Sequence, residues 1–393
     1  LEQRARVHAE VARAFAELYP DRLNERAALL AQHWEGAGQP LEAARWSRRA
    51  AEWVRGSNLA EALYHWRNVR ARLAEVPEGA ERSALAVDAC IQLLELGWRL
   101  GMPEDEAAAL FAEGEVLAMR SGDVRSLAML VNVYGTVRGH FGSAEEFLAS
   151  SVKATRLAEQ TDDVELQLVA RTRLTIALVA EGNLREATAV SEEVLARPPT
   201  DLKLGASILG YSPYLRVLKE RGSLLIEVGR LDEGARVLEQ AARLAREQGD
   251  LEVLGWTHGG YVTLARIRGD AETALMHARE VMWVAEKLGS PFFRAGACLS
   301  FGQAHIVGGQ WAEALPALER ALAIARAGQA GVWTEPLALA WLAGAHLGLG
   351  DAARAQTAAD AALAAAERRR TRPAECIAHI GRARVLLRTG AVG

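Results

Sequence analysis

The sequence is poor in the residues that would staple a chain, span a membrane or grip a polyanion. Cysteine occurs three times in 393 residues, at Cys90, Cys298 and Cys376. The three are too scattered for a disulfide framework or a CxxC metal site, and a reducing, cytoplasmic setting is expected. Basic excess is missing as well. Lys and Arg number 46 against 50 Asp and Glu, a net charge of −4, so nothing advertises a nucleic-acid partner. Long apolar runs are absent. The longest uncharged stretch, residues 295–312, carries four glycines, two glutamines and a histidine, whereas a spanning helix needs about 20 mostly apolar residues; no membrane partner is expected. A leader pattern is also lacking: the chain starts at Leu1 and runs at once into a charged amphipathic stretch, which reads as a fragment of a longer protein. Sustained period-two alternation between turns is missing, so strands are not expected.

What is present is helix. Half of the residues are apolar and 24% are charged, which excludes a disordered chain. Ala, Leu, Glu and Arg, all strong helix formers, dominate. Between Leu231 and Gly249, Leu231, Ala235, Leu238, Ala242 and Ala245 recur at three and four residues, the period of an amphipathic helix about five turns long. The helices are punctuated at a fixed interval. A glycine is followed five positions on by a small residue and seven further on by another small or apolar one. Gly139–Ala144–Ser151, Gly182–Ala187–Val194, Gly229–Gly234–Ala241, Gly269–Ala274–Val281, Gly309–Ala314–Ala321 and Gly350–Ala355–Ala362 all fit, and Gly390 opens one more. The steps are 43, 47, 40, 40, 41 and 40 residues, a period that signals stacked supersecondary units. Each glycine ends a helix where φ > 0 is wanted, and the small residues let two helices of a hairpin approach closely. Gly222, Gly302, Ala343 and Ala383, seven before their turn glycines, place a small side chain at the matching contact on the first helix.

Gly-x4-Ala-x6-Ala with an upstream Phe301–Gly302 pair resembles the tetratricopeptide repeat, at a period longer than its usual 34 residues. The fold this implies is an all-α, tetratricopeptide-like α-solenoid: a right-handed superhelix of about eight to nine helix hairpins with ~40-residue repeats over 80–393, preceded by a helical junction segment over 1–79. Two longer stretches narrow the resemblance. RVHAEVARAF and AALLAQHWEGAGQPLEAARWSRRAAEW, within Arg4–Trp53, resemble the segment that joins an ATPase module to helical repeats in STAND-type predicted ATPases. LGYSPYLRVLKERGSLLIEVGRLDEG (Leu209–Gly234), LEVLGWTHGGYVTLARIRGDAETALMHAREV after it, and ECIAHIGRARVLLRTG (Glu375–Gly390) are similar to the C-terminal repeats of bacterial class III adenylate/guanylate cyclases that carry a central AAA-like ATPase.

Catalytic strings do not accompany the resemblance. There is no Gly-x4-Gly-Lys-Ser/Thr loop, no HExxH, no GxSxG and no EF-hand loop, so the chain itself is not expected to be an enzyme, and neither cofactor nor metal is expected. His305 and His346 hold one repeat position, four before Gly309 and Gly350. Stacked hairpins would hold them about 10 Å apart, which fits repeat packing rather than a shared metal. Trp34, Trp46, Trp53 and Trp66 read either as core of a module junction or as an apolar contact surface for an ATPase module. The 47-residue step contains Arg197-Pro198-Pro199-Thr200 and then Gly205, Gly210 and Pro213; no helix continues through it, leaving a groove-shaping insertion or a tolerated surface loop. Arg368-Arg369-Arg370-Thr371-Arg372 reads as a solvated helix end that offsets the dipole.

The candidate binding site follows from the resemblance. In tetratricopeptide-like arrays the first helix of each hairpin lines the concave surface, at thirteen, ten, six and three residues before the turn glycine. These positions are Arg216, Lys219, Ser223 and Ile226 in one unit, Trp256, Gly259, Thr263 and Arg266 in the next, and Gln303 and Ile306 in the third. A groove holding Arg216, Lys219, Ser223, Trp256, Thr263, Arg266 and Gln303 puts cations beside an aromatic, which suits an acidic peptide or carboxylate. The expected role is a non-catalytic interaction and sensor module, the regulatory C-terminal arm of a cyclase-linked bacterial signalling ATPase. A protein or peptide partner, the intramolecular ATPase module included, or a small molecule would bind the concave face and bias the ATPase by changing superhelix curvature. A free-standing repeat scaffold and the regulatory arm of a large ATP-dependent transcriptional activator are the alternatives.

Overall fold

The computed structural model describes residues 2–328 and 330–390, and among them the secondary structure is helical without a strand. In chain order the helices are α1 (Glu2–Leu18), α2 (Ala27–Gly36), α3 (Pro40–Val54), α4 (Leu59–Leu73), α5 (Ala80–Leu100), α6 (Glu104–Ser121), α7 (Val124–Phe141), α8 (Ala144–Ala158), α9 (Val164–Glu181) and α10 (Leu184–Leu195). They continue with the single turn α11 (Ala206–Leu209), then α12 (Pro213–Glu227), α13 (Leu231–Gln248), α14 (Leu251–Arg268), α15 (Ala271–Leu288), α16 (Pro291–Val307), α17 (Trp311–Gly328), α18 (Thr334–Gly348), α19 (Ala352–Arg369) and α20 (Arg372–Thr389). Consecutive helices pack as antiparallel hairpins and each hairpin stacks on the next. The architecture is a tetratricopeptide-like α-solenoid. No described helix is long and apolar enough to cross a membrane.

Local chemistry sets the helix ends. Asp123, Asp163, Asp250, Asp270 and Asp351 each accept the backbone N–H three residues on, and Ser143 forms a reciprocal capping box with Glu146. Gly182 and Gly269 close their helices at φ +86° and +72°, which a side chain would resist. The turn assigned to Gly139 is a correction. Gly139 lies inside α7, and the chain reverses at Gly142–Ser143, where Ser143 supplies the cap. Shifting the phase by three brings that unit's spacing to Gly182 to 40 residues. It also places Gly135 seven before the turn, where a Cβ would lie 2.5 Å from Ser150 Cβ. The same close approach recurs at Gly222 on Leu238 and at Gly302 on Leu318.

The inner side of the first five hairpins is filled. Residues 89–99 of α5 are buried all round, as expected of a helix enclosed by others. The segment after Arg197 also turns inward: Ile208, Leu209 and Tyr211 are buried. The Ile208 carbonyl accepts from Arg55 Nη2 at 3.1 Å, and the Leu209 carbonyl from Arg99 Nη2 at 2.8 Å. Ser290 Oγ, at the head of α16, donates to the Arg99 carbonyl at 3.0 Å. One hydrophobic cluster therefore runs unbroken from Ala44 to Ala297, while a second forms around α16–α20.

An arginine-rich cleft on the inner face

The filled half of the interior is held by ions. Arg99 is fully buried and lies 3.0 Å from Glu252 of α14 and 2.9 Å from Glu95. Arg173 of α9 reaches Glu95 at 2.6 Å. Burial opposes the Arg99 charge, but Glu252 and Glu95 more than offset it, so its pKa rises. The guanidinium also lies 4.1 Å from the Trp98 ring centroid.

Two expected groove cations belong to this filled half. Arg216 is 9% exposed, sits 4.1 Å over the Trp256 ring and pairs with Glu220 at 2.6 Å. Lys219 pairs with the same Glu220 at 3.4 Å, and burial pulls its pKa down. Glu220, a helical turn from Arg216 and next to Lys219, pairs with both expected groove cations, while Arg216 Nε and Nη1 are buried without a hydrogen-bond partner among the described residues. Trp256 packs edge-on against Tyr211 at 4.9 Å, so it too is walled in by the inward segment. Ser223 and Gln303 are half-buried, and the Thr263 hydroxyl donates to the Gly259 carbonyl of its own helix at 3.4 Å.

Arg266 is placed differently. It opens onto a cleft of about 400 Å³ formed by four successive first helices, α14, α16, α18 and α20, with Trp311 of α17 at the rim. Ile306, Trp341, Leu347, Ile377 and Ile380 give apolar walls. Arg266, Arg384 and Arg388 supply three positive charges, and among the described residues no acidic one lines the cleft. Arg266 lies 5.3 Å from the Trp341 ring centroid. Among the described residues, Arg266 Nε and Trp341 Nε1 are buried donors without a hydrogen-bond partner. Burial, then the Arg384 charge, lowers the Arg266 pKa. Gly344 keeps the floor open, since a Cβ there would meet nothing within 4 Å. Gly348 lets the Trp311 ring lie flat on α18; a Cβ there would come within 2.3 Å of it.

Three cations and two orphan donors around an apolar slot make a receptor for an anionic group carried on an apolar body. A second hollow of about 450 Å³ near the N-terminus contrasts with it. Two of its three arginines have acidic partners in the wall: Arg48 meets Asp88 at 3.1 Å and Glu52 at 2.8 Å, and Arg45 meets Glu81, while Arg49 donates to Asn24.

Of the expected groove residues, Arg266 and Ile306 line the cleft. Arg384, Arg388, Trp341 and the isoleucines of α20 were not anticipated, yet the signal existed. The same four offsets counted back from Gly350 and Gly390 give eight positions. Ala340, Gly344, Leu347, Ile377, Ile380 and Arg384 line the cleft; the other two, Leu337 and Leu387, lie outside the cleft lining. Among the described residues, no three His, Cys, Asp or Glu side chains converge as a metal site would require.

No protein-family model and no curated protein sequence matches the chain. Solved structures are similar in fold. A Rap protein complexed with Competence and Sporulation Factor superposes with a TM-score of 0.59 at 14% identity, over 91% of this chain and 98% of that one. The human IFIT1 dimer with PPP-AAAA gives 0.55 at 16% identity, over 92% of this chain and 80% of that one. A STAND protein with a tetratricopeptide repeat sensor from Pyrococcus horikoshii gives 0.48 at 14% identity, over 93% and 63%. At these identities the likeness establishes the fold.

Proposed function

We propose that this chain is a non-catalytic interaction and sensor module that takes an anionic ligand, an acidic protein segment or a carboxylate-bearing small molecule, in the cleft between α14 and α20. The observation that carries the reading is the set Arg266, Arg384 and Arg388, three arginines around an apolar slot that no acidic side chain lines among the described residues. Arg266 is half-buried and its uncompensated charge is costly there, while Arg384 and Arg388 are exposed at the mouth; an anionic occupant would meet all three. That two solenoids of the same fold are seen with a bound factor or with PPP-AAAA is in keeping with a ligand-carrying role.

The larger setting rests on the sequence resemblance. Residues 1–79 would join a STAND-type ATPase to the sensing solenoid of 80–393, in the cytoplasm, with cyclic-nucleotide synthesis as the parent protein's output. The intramolecular partner would be the ATPase module, biased by ligand in the cleft through its different affinity for the two states.

A thermal-shift screen tests the cleft. The panel comprises glutamate-rich peptides, nucleotides and carboxylate metabolites, against the wild type, Arg266→Ala with Arg384→Ala, and Gly344→Leu, which fills the open floor. A ligand at about 100 times its Kd adds about 2.7 kcal/mol. A shift lost in both variants supports the reading. A shift that survives both places the ligand elsewhere, and a flat panel sinks the anionic-ligand reading.

A further inference from the structure

Residues 368–372, an arginine-rich stretch at the turn between α19 and α20, reach partners on distant helices although Arg370 and Arg372 stay 68% and 65% exposed. They cross to the opposite side of the solenoid. Arg369 Nη1 donates to the His140 carbonyl at the end of α7 at 2.6 Å, a contact 229 residues away in sequence. Arg370 pairs with Glu145 at the head of α8. Arg372 Nη2 lies 3.4 Å from Glu181 at the end of α9. Helix α20 packs on α9 here, and Arg372 sits over Gly182, where a Cβ would come within 3.1 Å of the Arg372 Cβ. Arg370 holds φ +48°, the left-handed value otherwise taken only by glycines among the described residues. That backbone turn swings the three guanidiniums towards the ends of three different helices.

Helix α20 thus has two attachments of opposite character. Its first turn is tied to α9 by Arg372 and Glu181, and the turn before it is tied to α7 by Arg369 and to α8 by Arg370. Its later turns carry Ile377, Ile380, Gly381, Arg384 and Arg388 into the cleft, where Arg384 faces the like charge of Arg266. Away from the cleft, Leu387 is 73% exposed. The helix is therefore held by α18 and α19, drawn inward at its head and repelled along its cleft side. An anion between Arg266 and Arg384 cancels the repulsion.

Resting on the cleft reading, we propose that the Arg369–Arg370–Arg372 turn is a latch that closes the solenoid on itself and sets the cleft's affinity by fixing where α20 stands. Closed, the latch holds Arg384 near Arg266 and the cleft is formed. Open, α20 swings out and the three charges no longer converge. The coupling is reciprocal: an anion in the cleft strengthens the latch as much as the latch strengthens the anion. Arg370 and Glu145 are 68% and 63% exposed, so their pair is individually weak. A weak pair suits a device that must open and close.

The experiment uses two probes, a hexaglutamate peptide and inorganic phosphate, and one distance. Spin labels go on Cys376, exposed on α20, and on Glu186→Cys, exposed on α10 beside the α9 end; Cys90 and Cys298 are buried. In Arg370→Glu with Arg372→Glu, the label distance lengthens or broadens and the affinity for the bound probe falls roughly tenfold. For the single reversal Arg370→Glu, adding Glu145→Arg restores both. Arg384→Ala loses the probe with the label distance unchanged. If a probe binds wild type and latch variant equally, the cleft reading survives and the latch falls. An unchanged distance in the latch variant also overturns it. If neither probe binds the wild type, the cleft reading fails and takes the proposal with it. Loss of binding to phosphate alone, or to the peptide alone, tells which source of anion the latched cleft serves.

Discussion

Replacing Gly302 by alanine tests whether close helix approach, rather than glycine's flexibility, explains the recurrent small residue seven before each turn. A Cβ at Gly302 would stand 2.3 Å from Leu318 Cδ2 and 2.4 Å from Leu318 Cγ. Leu318 is fully buried, and the crowding reaches its branch point, so relief requires the α17 backbone or the whole side chain to move. Such overpacking costs about 1–3 kcal/mol. Alanine in a helix interior returns about 0.5–1 kcal/mol relative to glycine. The net expectation for Gly302→Ala is a loss of about 1–2 kcal/mol. At Gly259, also inside a helix, an added Cβ meets nothing within 4 Å, so Gly259→Ala gains about 0.5–1 kcal/mol. In a solenoid one global unfolding energy is poorly defined, so the assay is hydrogen exchange of α16 and α17 peptides by mass spectrometry. A loss of 1–2 kcal/mol appears as roughly 5- to 30-fold faster exchange. On a Leu318→Ala background, which opens space at the contact, Gly302→Ala becomes neutral or stabilising, a coupling expected of touching residues. If Gly302→Ala slows exchange as Gly259→Ala does, the close-approach argument is wrong.

Removing Glu252 leaves the buried Arg99 with Glu95 as its one carboxylate partner, so Glu252→Ala lowers the local stability of α5 and α14 by about 3–5 kcal/mol, read from hydrogen exchange of those helices, while Arg230→Ala, which loses the exposed pair to Glu233, leaves their exchange unchanged. Burial, with His277 and Arg246 beside it, pushes His258 down to about 4, against about 6.5 in an unfolded chain. Between those values the unfolded chain takes a proton that the folded chain refuses, so stability falls as pH drops from about 6.5 to 4, and His258→Gln flattens that part of a pH-dependent melting curve. Cys376 is exposed, whereas Cys90 is buried and its thiol is pushed up to about 12, so a thiol reagent at pH 8 modifies one of three cysteines quickly and the other two only on unfolding.

Much of the fold was legible because its determinants are local and periodic. Turn glycines and the small residues around them recur within about 15 positions, so spacing alone reveals the hairpins. The misplaced turn at Gly139 arose because Ala144 and Ser151 also fit the spacing; the capping chemistry of Ser143 and Glu146 breaks the tie. The site was only half legible. Offsets from the turn glycine tell which residues face inward, and Arg266 was found that way. They do not tell what else occupies the interior. Arg216 and Lys219 share Glu220, and the inward segment reaches them through Tyr211, which packs on the Trp256 ring that Arg216 covers. The run at 368–372 is largely exposed, as a solvated helix end would be, but its partners, His140, Glu145 and Glu181, lie nearly two hundred residues or more upstream, beyond the reach of local spacing.

The tie between Arg99 and Glu252 also bears on how the chain is made. Solenoids ordinarily fold by adding each repeat to the last, without waiting for distant sequence. Here α5 must be sheathed by helices that do not yet exist when it leaves the ribosome. Arg99 and Glu252 are 153 residues apart, a gap of about 8–30 seconds at ordinary synthesis rates. Through that interval Arg99 has Glu95 but not the carboxylate that completes its burial, and the apolar flanks of α5 remain uncovered. The early hairpins are thus apprentices of the later ones, and truncation anywhere before α14 leaves a nascent chain with an exposed apolar rod, a natural client for chaperones.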